Sequence, residues 1–127
     1  MKKIVAKHVE ATILPEQPQD VPALLDAENV EFVAIGTNNW PDAFPYTPKV
    51  EVRVAHADTT LLLHYRVEED SVQAVAADNG NVWEDSCCEF FSIPAGDGVY
   101  YNIECNCAGR MLIGAGAERK NRERASQ

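Results

Sequence analysis

Lys49–Val67 has the sequence KVEVRVAHADTTLLLHYRV, and this stretch decides the fold class. Apolar and polar residues alternate from Lys49 to Val54 within the segment Lys49–His56. In the second segment, Thr60–Val67, one face carries Leu61, Leu63, Tyr65 and Val67. A period of two is typical of a β-strand with one buried face. The intervening Ala57-Asp58-Thr59 is short enough for a hairpin loop. The sequence therefore predicts two neighbouring antiparallel strands.

Further segments on both sides of this hairpin are strand candidates. They are Lys3–His8, Val30–Ile35, Val72–Ala77, Cys87–Ser92 and Tyr100–Cys107. One short N-terminal helix is predicted, because Asp20 can cap it, Pro22 suits its first turn and Ala23–Ala27 continues it. Many short strands with a single helix predict an all-β fold, a jelly-roll-like antiparallel β-sandwich.

The length of 127 residues predicts one domain, 1–127. Its last stretch, Glu118–Gln127, is charged and lacks an apolar period, so a frayed tail is expected there. Met1–His8 carries the charges of a signal peptide without the apolar run that must follow them. The expected location is therefore cytoplasmic, unless a signal was removed.

The charge balance narrows the range of partners. Formal net charge is −9, from 20 acidic and 11 basic residues. Such a chain lacks the basic footprint with which proteins bind nucleic acid or anionic membranes. Neutral partners such as sugars, and cations, stay open.

A second hairpin is predicted in residues 78–109, DNGNVWEDSCCEFFSIPAGDGVYYNIECNCAG, with its turn at Pro94–Gly98. Opposed residues of an antiparallel pair share a face. Opposing Glu89 to Asn102 avoids the like-charge pair that opposing Glu89 to Glu104 would create, so we expect the first register. That register buries one set of side chains together: Cys88, Phe90, Tyr101, Ile103 and Cys105.

The other face of this hairpin is polar and carries Glu89, Phe91, Tyr100, Asn102, Glu104 and Asn106. Trp83 lies just before it. A sugar ring can stack its C–H face on an indole while carboxylates and amides bind its hydroxyls. An ordinary solvated face, with Trp83 packed in the core, fits the same residues. Both interpretations stay open on composition alone.

The four cysteines are Cys87, Cys88, Cys105 and Cys107, and they fall in two strand candidates. Their spacing fits neither a disulfide framework nor the pairs of a structural zinc site. Small, buried, reduced side chains are therefore predicted, with Cys88 and Cys105 pointing inward.

Four motifs in succession resemble the family 9-like carbohydrate-binding modules, a group similar to the family 9 modules of xylanases. They are Asn39-Trp40-Pro41, Tyr46-x-Pro48, NVWEDSCCEFF and YYNIECNCAG, and the resemblance extends over residues 20–123. It implies a β-sandwich that binds mono-, di- or oligosaccharide without catalysis. It also implies service to polysaccharide degradation, as an accessory to a glycoside hydrolase.

The resemblance implies roles for single residues. Trp83 matches a tryptophan that clamps a terminal sugar, Glu89 a hydroxyl-binding carboxylate, and Asn106 an asparagine on the next strand. Trp40 matches a packing position and is expected in the core. With their neighbours on the polar face, the predicted carbohydrate-binding residues are Trp83, Glu89, Asn102, Glu104 and Asn106. Structural calcium occurs in the family, and the weak candidates for it are Asp78 and Asp85.

The chain departs from the family pattern in two places. Glu104 stands where the xylanase modules have a basic residue, and the second clamp tryptophan lies beyond Gln127. The chain therefore looks truncated at its C-terminal end. An unpaired sheet edge, self-association through that edge and weak sugar binding are expected.

Other functions are weighed against this one. Glu89 and Glu104 could form a glycosidase pair, but an acidic surface commonly offers such pairs. No triad spacing is evident, and Gly114-Ala115-Gly116 fails the dinucleotide pattern because Arg119 replaces its third glycine. No catalytic residue is therefore predicted. The remaining alternatives are a haem or redox module with His64 and Met111 as ligands, and a structural or interaction remnant with no ligand.

Overall fold

The computed structural model describes residues 3–117 and 123–124. It confirms the predicted fold class, since these residues form two mainly antiparallel sheets with one short α-helix, as in an all-β sandwich. The elements are β1 (Lys7–His8), α1 (Val21–Ala27), β2 (Val33–Ala34), β3 (Lys49–Ala57), β4 (Thr60–Glu68), β5 (Cys87–Ser92), β6 (Tyr100–Asn106), β7 (Met111–Gly116) and β8 (Glu123–Arg124). The chain divides into two compact units, Met1–Glu69 and Asp70–Gln127. A single domain over 1–127 stays a prediction.

The first unit is built on the predicted β3–β4 hairpin. All nine residues of β3 pair with β4, from Lys49 opposite Glu68 to Ala57 opposite Thr60. Asp58 turns the chain with a φ of +48°, a left-handed conformation that Asp tolerates better than most residues. On its other side, β3 pairs in parallel with β1 and antiparallel with β2. The two flanking strands are much shorter than the segments Lys3–His8 and Val30–Ile35 that were predicted.

Helix α1 covers this sheet and packs against β4. Its Leu25 is fully buried. The hydrophobic core of this unit consists of six buried side chains: Val9, Leu25, Val30, Ala55, Ala57 and Leu62. The predicted cap is wrong. Asp20 closes a 3₁₀ turn in right-handed helical conformation and makes no side-chain cap, because an N-cap side chain works from extended backbone. Among the described residues, no helix is long and apolar enough to cross a membrane.

A buried arginine ties α1 to β3. Arg53 is 4% exposed. Its guanidinium donates to Asp26 Oδ1 at 2.8 Å, to the carbonyl of Pro22 at 3.1 Å and to that of Val30 at 3.3 Å. Its Nε donates to Nδ1 of His64 at 3.1 Å. A buried cation of this kind is tolerated because its donors are used.

Aromatic side chains complete the surroundings of Arg53. The Phe32 ring lies 4.4 Å from the Arg53 guanidinium carbon and 3.9 Å from that of Arg66, distances typical of cation–π contacts. Burial, and then the charges of Arg53 and Arg66, lower the pKa of His64. A neutral imidazole is what allows Nδ1 to accept the hydrogen bond from Arg53. These contacts account for His64 without a haem.

The second unit is one antiparallel sheet in the order β5-β6-β7-β8. Val72–Ala77 was predicted as a strand and is not one. Its N–H groups at Val75 and Ala76 donate to the carboxylate of Asp85 instead of to a neighbouring strand. Within the tail that was expected to fray, the structure has the short strand β8, which pairs with Gly114 and Ala115 of β7. Residues 118–122 and 125–127 of that predicted tail lie outside the described residues.

Candidate functional site

The register of the β5–β6 hairpin differs from the predicted one. Glu89 lies opposite Glu104, and Phe91 lies opposite Asn102. The open end of the hairpin explains this. The Cys107 N–H donates to the Ser86 carbonyl at 3.1 Å, which fixes the pairing away from the turn. The Glu104 carboxylate accepts from Asn102 Nδ2 at 3.0 Å, and this contact reduces the repulsion that the prediction relied on.

The two faces of the hairpin are grouped as predicted, but their burial is reversed. On β6 the polar residues Asn102, Glu104 and Asn106 are 1%, 6% and 4% exposed. The set predicted to be buried is only partly buried at Cys88, Phe90, Ile103 and Cys105, and Tyr101 is exposed. The 3₁₀ turn Val82–Glu84 packs on β6 and β5, and polar contacts from this turn's neighbours reach the polar side chains.

Asp85 organises the loop that precedes β5. Its Oδ2 accepts from the backbone N–H groups of Val75 and Ala76 and from Nδ2 of Asn106, at 2.9 to 3.1 Å. Its Oδ1 accepts from Gln73 at 3.2 Å. These donors, first the N–H of Ala76 and then the Asn106 amide, lower the pKa of Asp85 to about 2. The carboxylate is therefore ionised at neutral pH, and it holds the loop in one conformation.

Asn106 accepts hydrogen bonds from the turn between β6 and β7. Its Oδ1 accepts from the backbone N–H groups of Ala108 and Arg110, at 3.0 and 2.9 Å. Its Nδ2 donates to Asp85. Each polar atom of this side chain is thus engaged within the second unit. The structure gives Asn106 a positioning role between the loop and the turn.

Trp83 is held on a short, rigid turn. The preceding Val82 is fully buried and anchors the turn, whereas Trp83 is 47% exposed. Gln73 Nε2 donates to the carbonyl of Glu84 at 3.0 Å and fixes the far side of the turn. A core-packed Trp83 does not fit this exposure. The indole is a preorganised aromatic surface beside the polar face of the hairpin.

The predicted sugar-binding residues fall into two groups by accessibility. Trp83 and Glu89 are exposed to solvent, while Asn102, Glu104 and Asn106 are buried. Arg124 of β8 was not among the predicted residues, because it lies in the charged stretch that was expected to fray. Its guanidinium carbon lies 5.8 Å from the centre of the Trp83 ring.

The calcium candidates do not form a site among the described residues. No group of three or more His, Cys, Asp or Glu side chains there is arranged to hold a metal ion. Asp85 is committed to the loop contacts. Asp78 accepts from the Met111 N–H at 3.0 Å and faces Arg110 at 3.6 Å. The residues present therefore do not fit a calcium ion held by these two carboxylates.

The four cysteines are free thiols, and Cys88 lies directly opposite Cys105. Burial, followed by the charges of Glu89 and Glu104, raises the pKa of Cys87 to about 11. Burial also raises the pKa of Cys105. Thiols with raised pKa values are poor nucleophiles and metal ligands. The prediction of buried cysteines holds only in part, because three are half-buried and Cys107 is exposed.

Trp40 is not a core residue. It is 68% exposed, and Phe44 and Tyr46 of the same loop are 68% and 54% exposed. The loop is organised around Asn38, whose Oδ1 accepts from the Trp40 N–H and whose Nδ2 donates to the Phe44 carbonyl. This packing leaves the aromatic rings outside the core of the first unit. The alignment to a packing position was therefore misleading.

The exposed indole thus lies on an anchored turn that packs on β5 and β6. The model of carbohydrate-binding family 9 matches residues 19–127. The chain belongs to carbohydrate-binding family 9 and is a carbohydrate-binding module. The family resemblance stated from the motifs is thereby confirmed.

A solved structure is similar over nearly the whole chain. It is that of a candidate carbohydrate-binding protein from Bacteroides uniformis ATCC 8492, with 52% sequence identity and a TM-score of 0.87. The match covers 96% of this chain and 56% of that one, so this chain spans little more than half the length of its neighbour. Among curated proteins, none matches this chain.

Proposed function

We propose that this module binds a neutral sugar stacked on Trp83, with the sugar's hydroxyls held by Glu89 of β5 and the site shaped by the polar residues of β6. The observation that carries the proposal is the half-exposed indole on a turn that is anchored on both sides. A rigid aromatic surface loses little entropy when a sugar stacks on it, so its contact area converts efficiently into affinity.

The polar residues divide the work according to their burial. Glu89 is exposed on the polar face, and its carboxylate is the group that accepts hydrogen bonds from the sugar's hydroxyls directly. Asn102 and Glu104 are buried and hydrogen-bonded to each other, and Asn106 is bonded to Asp85. These three act mainly by fixing the strands and the loop around the ligand. Direct contact of any of them with a sugar would need the covering turn to shift.

The charge of the chain favours neutral glycans. A net charge of −9 repels polyanionic polysaccharides over a distance of about one Debye length, ~8 Å at physiological salt. Mono-, di- and oligosaccharides without acidic groups are therefore the proposed ligands. An accessory role beside a glycoside hydrolase in polysaccharide degradation is part of the proposal and rests on the family's resemblance to xylanase modules.

A glycan array with neutral and uronic-acid oligosaccharides tests the binding proposal. Neutral glycans are expected to bind, and isothermal titration should then give dissociation constants in the micromolar to millimolar range, about −8 to −4 kcal/mol. Binding confined to acidic glycans, or no binding to any glycan, would contradict the proposal.

Self-association through the edge of β4 is a second part of the proposal. This nine-residue strand pairs with β3, and no other strand lies beside it among the described residues. Leu61 on it is 52% exposed. A long edge strand with exposed apolar side chains invites pairing with another chain. Sedimentation velocity should show concentration-dependent association that Leu61→Lys reduces, and a wild-type monomer at all concentrations would exclude it.

A further inference from the structure

Arg124 lies on the same side of the second sheet as the polar face of the hairpin. Opposed residues share a face, and the register runs from Phe91 to Asn102, from Asn102 to Gly114 and from Gly114 to Arg124. The row therefore crosses all four strands. It brings an arginine from β8 to the face that Trp83 and Glu89 flank.

Gly114 clears the path between Arg124 and the rest of this row. It carries no side chain between Asn102 and Arg124, and Gly116, two residues further along β7, faces the same side. Glycine within a strand often marks a place where another group approaches the backbone closely. Gly114 thus places no side chain between Asn102 and Arg124 in this row.

Two contacts hold the Arg124 side chain beside Trp83. Its Nη1 donates to the carbonyl of Asn79 at 2.6 Å, and its guanidinium carbon lies 5.8 Å from the Trp83 ring centre. The corresponding distances to Phe32 are 4.4 Å for Arg53 and 3.9 Å for Arg66. The Arg124 guanidinium therefore lies over the Trp83 ring near the outer limit of a cation–π contact, farther from the ring centre than either arginine lies from Phe32. Its remaining N–H groups have no partner among the described residues.

We propose that Arg124 is a further sugar-contacting residue, which donates hydrogen bonds to two adjacent hydroxyls of a sugar stacked on Trp83. This inference rests on the proposed function. A guanidinium offers parallel N–H donors in a planar fork, which fits a pair of neighbouring oxygen acceptors. Glu89 supplies the complementary acceptor, and a hydroxyl both donates and accepts.

The surroundings of Arg124 select against acidic sugars. Glu84, next to Trp83, and Glu89 are exposed carboxylates on the adjacent elements. A uronic acid would gain the attraction of one arginine and meet repulsion from both carboxylates. The ligand class is therefore a neutral sugar with a vicinal diol at the edge of its stacked face.

The test compares variants in titrations with cellobiose, xylobiose and digalacturonic acid. The neutral disaccharide that the wild-type protein binds is the reference ligand. Arg124→Ala should weaken its binding about tenfold, the size expected for the loss of a charge-assisted hydrogen bond. Arg124→Lys keeps the charge but not the fork, so it should restore only part of the affinity. Arg110→Ala is the matched control, because this exposed arginine pairs with Asp78 and should change affinity less than twofold.

The outcomes separate this inference from the proposed function. If Trp83→Ala abolishes binding and Arg124→Ala leaves it unchanged or tighter, the role of Arg124 is wrong and the sugar site stands. Preferential binding of digalacturonic acid would overturn the neutral selectivity. If the wild-type protein binds no glycan in the array or in these titrations, the proposed function fails and this inference fails with it. Thermal melting of each variant checks that the fold is retained.

Discussion

Replacing Trp83 with alanine is expected to weaken sugar binding at least ~30-fold, a loss of about 2 kcal/mol, while the fold stays intact. In the proposed site the indole supplies the stacking contact, and an aromatic anchor buried by its ligand commonly dominates binding energy. The fold should survive because the fully buried Val82, and not the half-exposed Trp83, anchors the turn. Isothermal titration and thermal melting measure the two effects.

Trp40→Ala is the matched control for this variant. Trp40 is also a tryptophan and is more exposed, at 68%, but it belongs to the aromatic loop of the first unit. Its removal should leave the sugar affinity within twofold of wild type. If Trp40→Ala abolishes binding and Trp83→Ala does not, the sugar platform is the Trp40 loop. If neither matters, no tryptophan stacks on the ligand.

The sequence was informative where a local pattern determines the structure. The β3–β4 hairpin follows from a period of two and a short turn, and both strands form over almost the predicted residues. The face grouping of the second hairpin was also correct, because side chains of a strand alternate whatever the register. Glu89 was singled out by this alternation and by its match to the family, and Trp83 by its place before the polar face and the same match.

What the sequence could not determine depends on contacts between distant segments. Alternation shows which residues share a face but not which face is covered. Here a 3₁₀ turn covers the polar face of β6, so Asn102 and Glu104 are buried, although the apolar face was expected to be the buried one. The register that places Glu89 opposite Glu104 likewise depends on contacts of Ser86 and Asp85 with the far end of β6. The predicted register considered only the like charges that would face each other, so it did not include these contacts.

Val72–Ala77 and Arg124 were misjudged for a related reason. Val72–Ala77 has strand-like residues, yet a single carboxylate takes two of its N–H groups and replaces a neighbouring strand. Arg124 lies in a charged stretch with no apolar period, and its place opposite Gly114 comes from the pairing of β8 with β7. Neither contact leaves a periodic signal. The Asn79 carbonyl, in the Asp78-Asn79-Gly80 turn, accepts a hydrogen bond from Arg124.

The largest effect on stability is expected from Arg53→Met, which should lower the free energy of unfolding by on the order of 3 kcal/mol. Methionine can fill much of the space but supplies no donor. The carbonyls of Pro22 and Val30 and the imidazole of His64 would then lose their shared partner inside the unit. Urea denaturation followed by circular dichroism gives the change, provided that the m-value is unaltered.

Arg66→Met is the matched control, because it removes the other guanidinium on Phe32. The Arg66 side chain is 53% exposed and pairs with Glu51 at the surface, so its loss should cost less than about 1 kcal/mol. Equal effects of the two substitutions would show that the cation–π contact with Phe32, and not the buried hydrogen bonds of Arg53, stabilises the unit. If Arg53→Met leaves the free energy of unfolding unchanged, the hydrogen bonds of Arg53 are not needed to hold α1 on the sheet.

The pH dependence of the Arg53 variant distinguishes the contact with His64 from simple packing. Folding lowers the pKa of His64 from 6.5, so the unfolded chain binds more protons and stability falls as the pH drops below that value. This contribution is fully present above pH 6.5 and is lost as the pH falls through the lowered pKa. Burial is the first cause of that shift and the Arg53 charge the second. Arg53→Met should therefore reduce the slope of stability against pH below 6.5, whereas a purely packing role would leave the slope equal to that of the wild type.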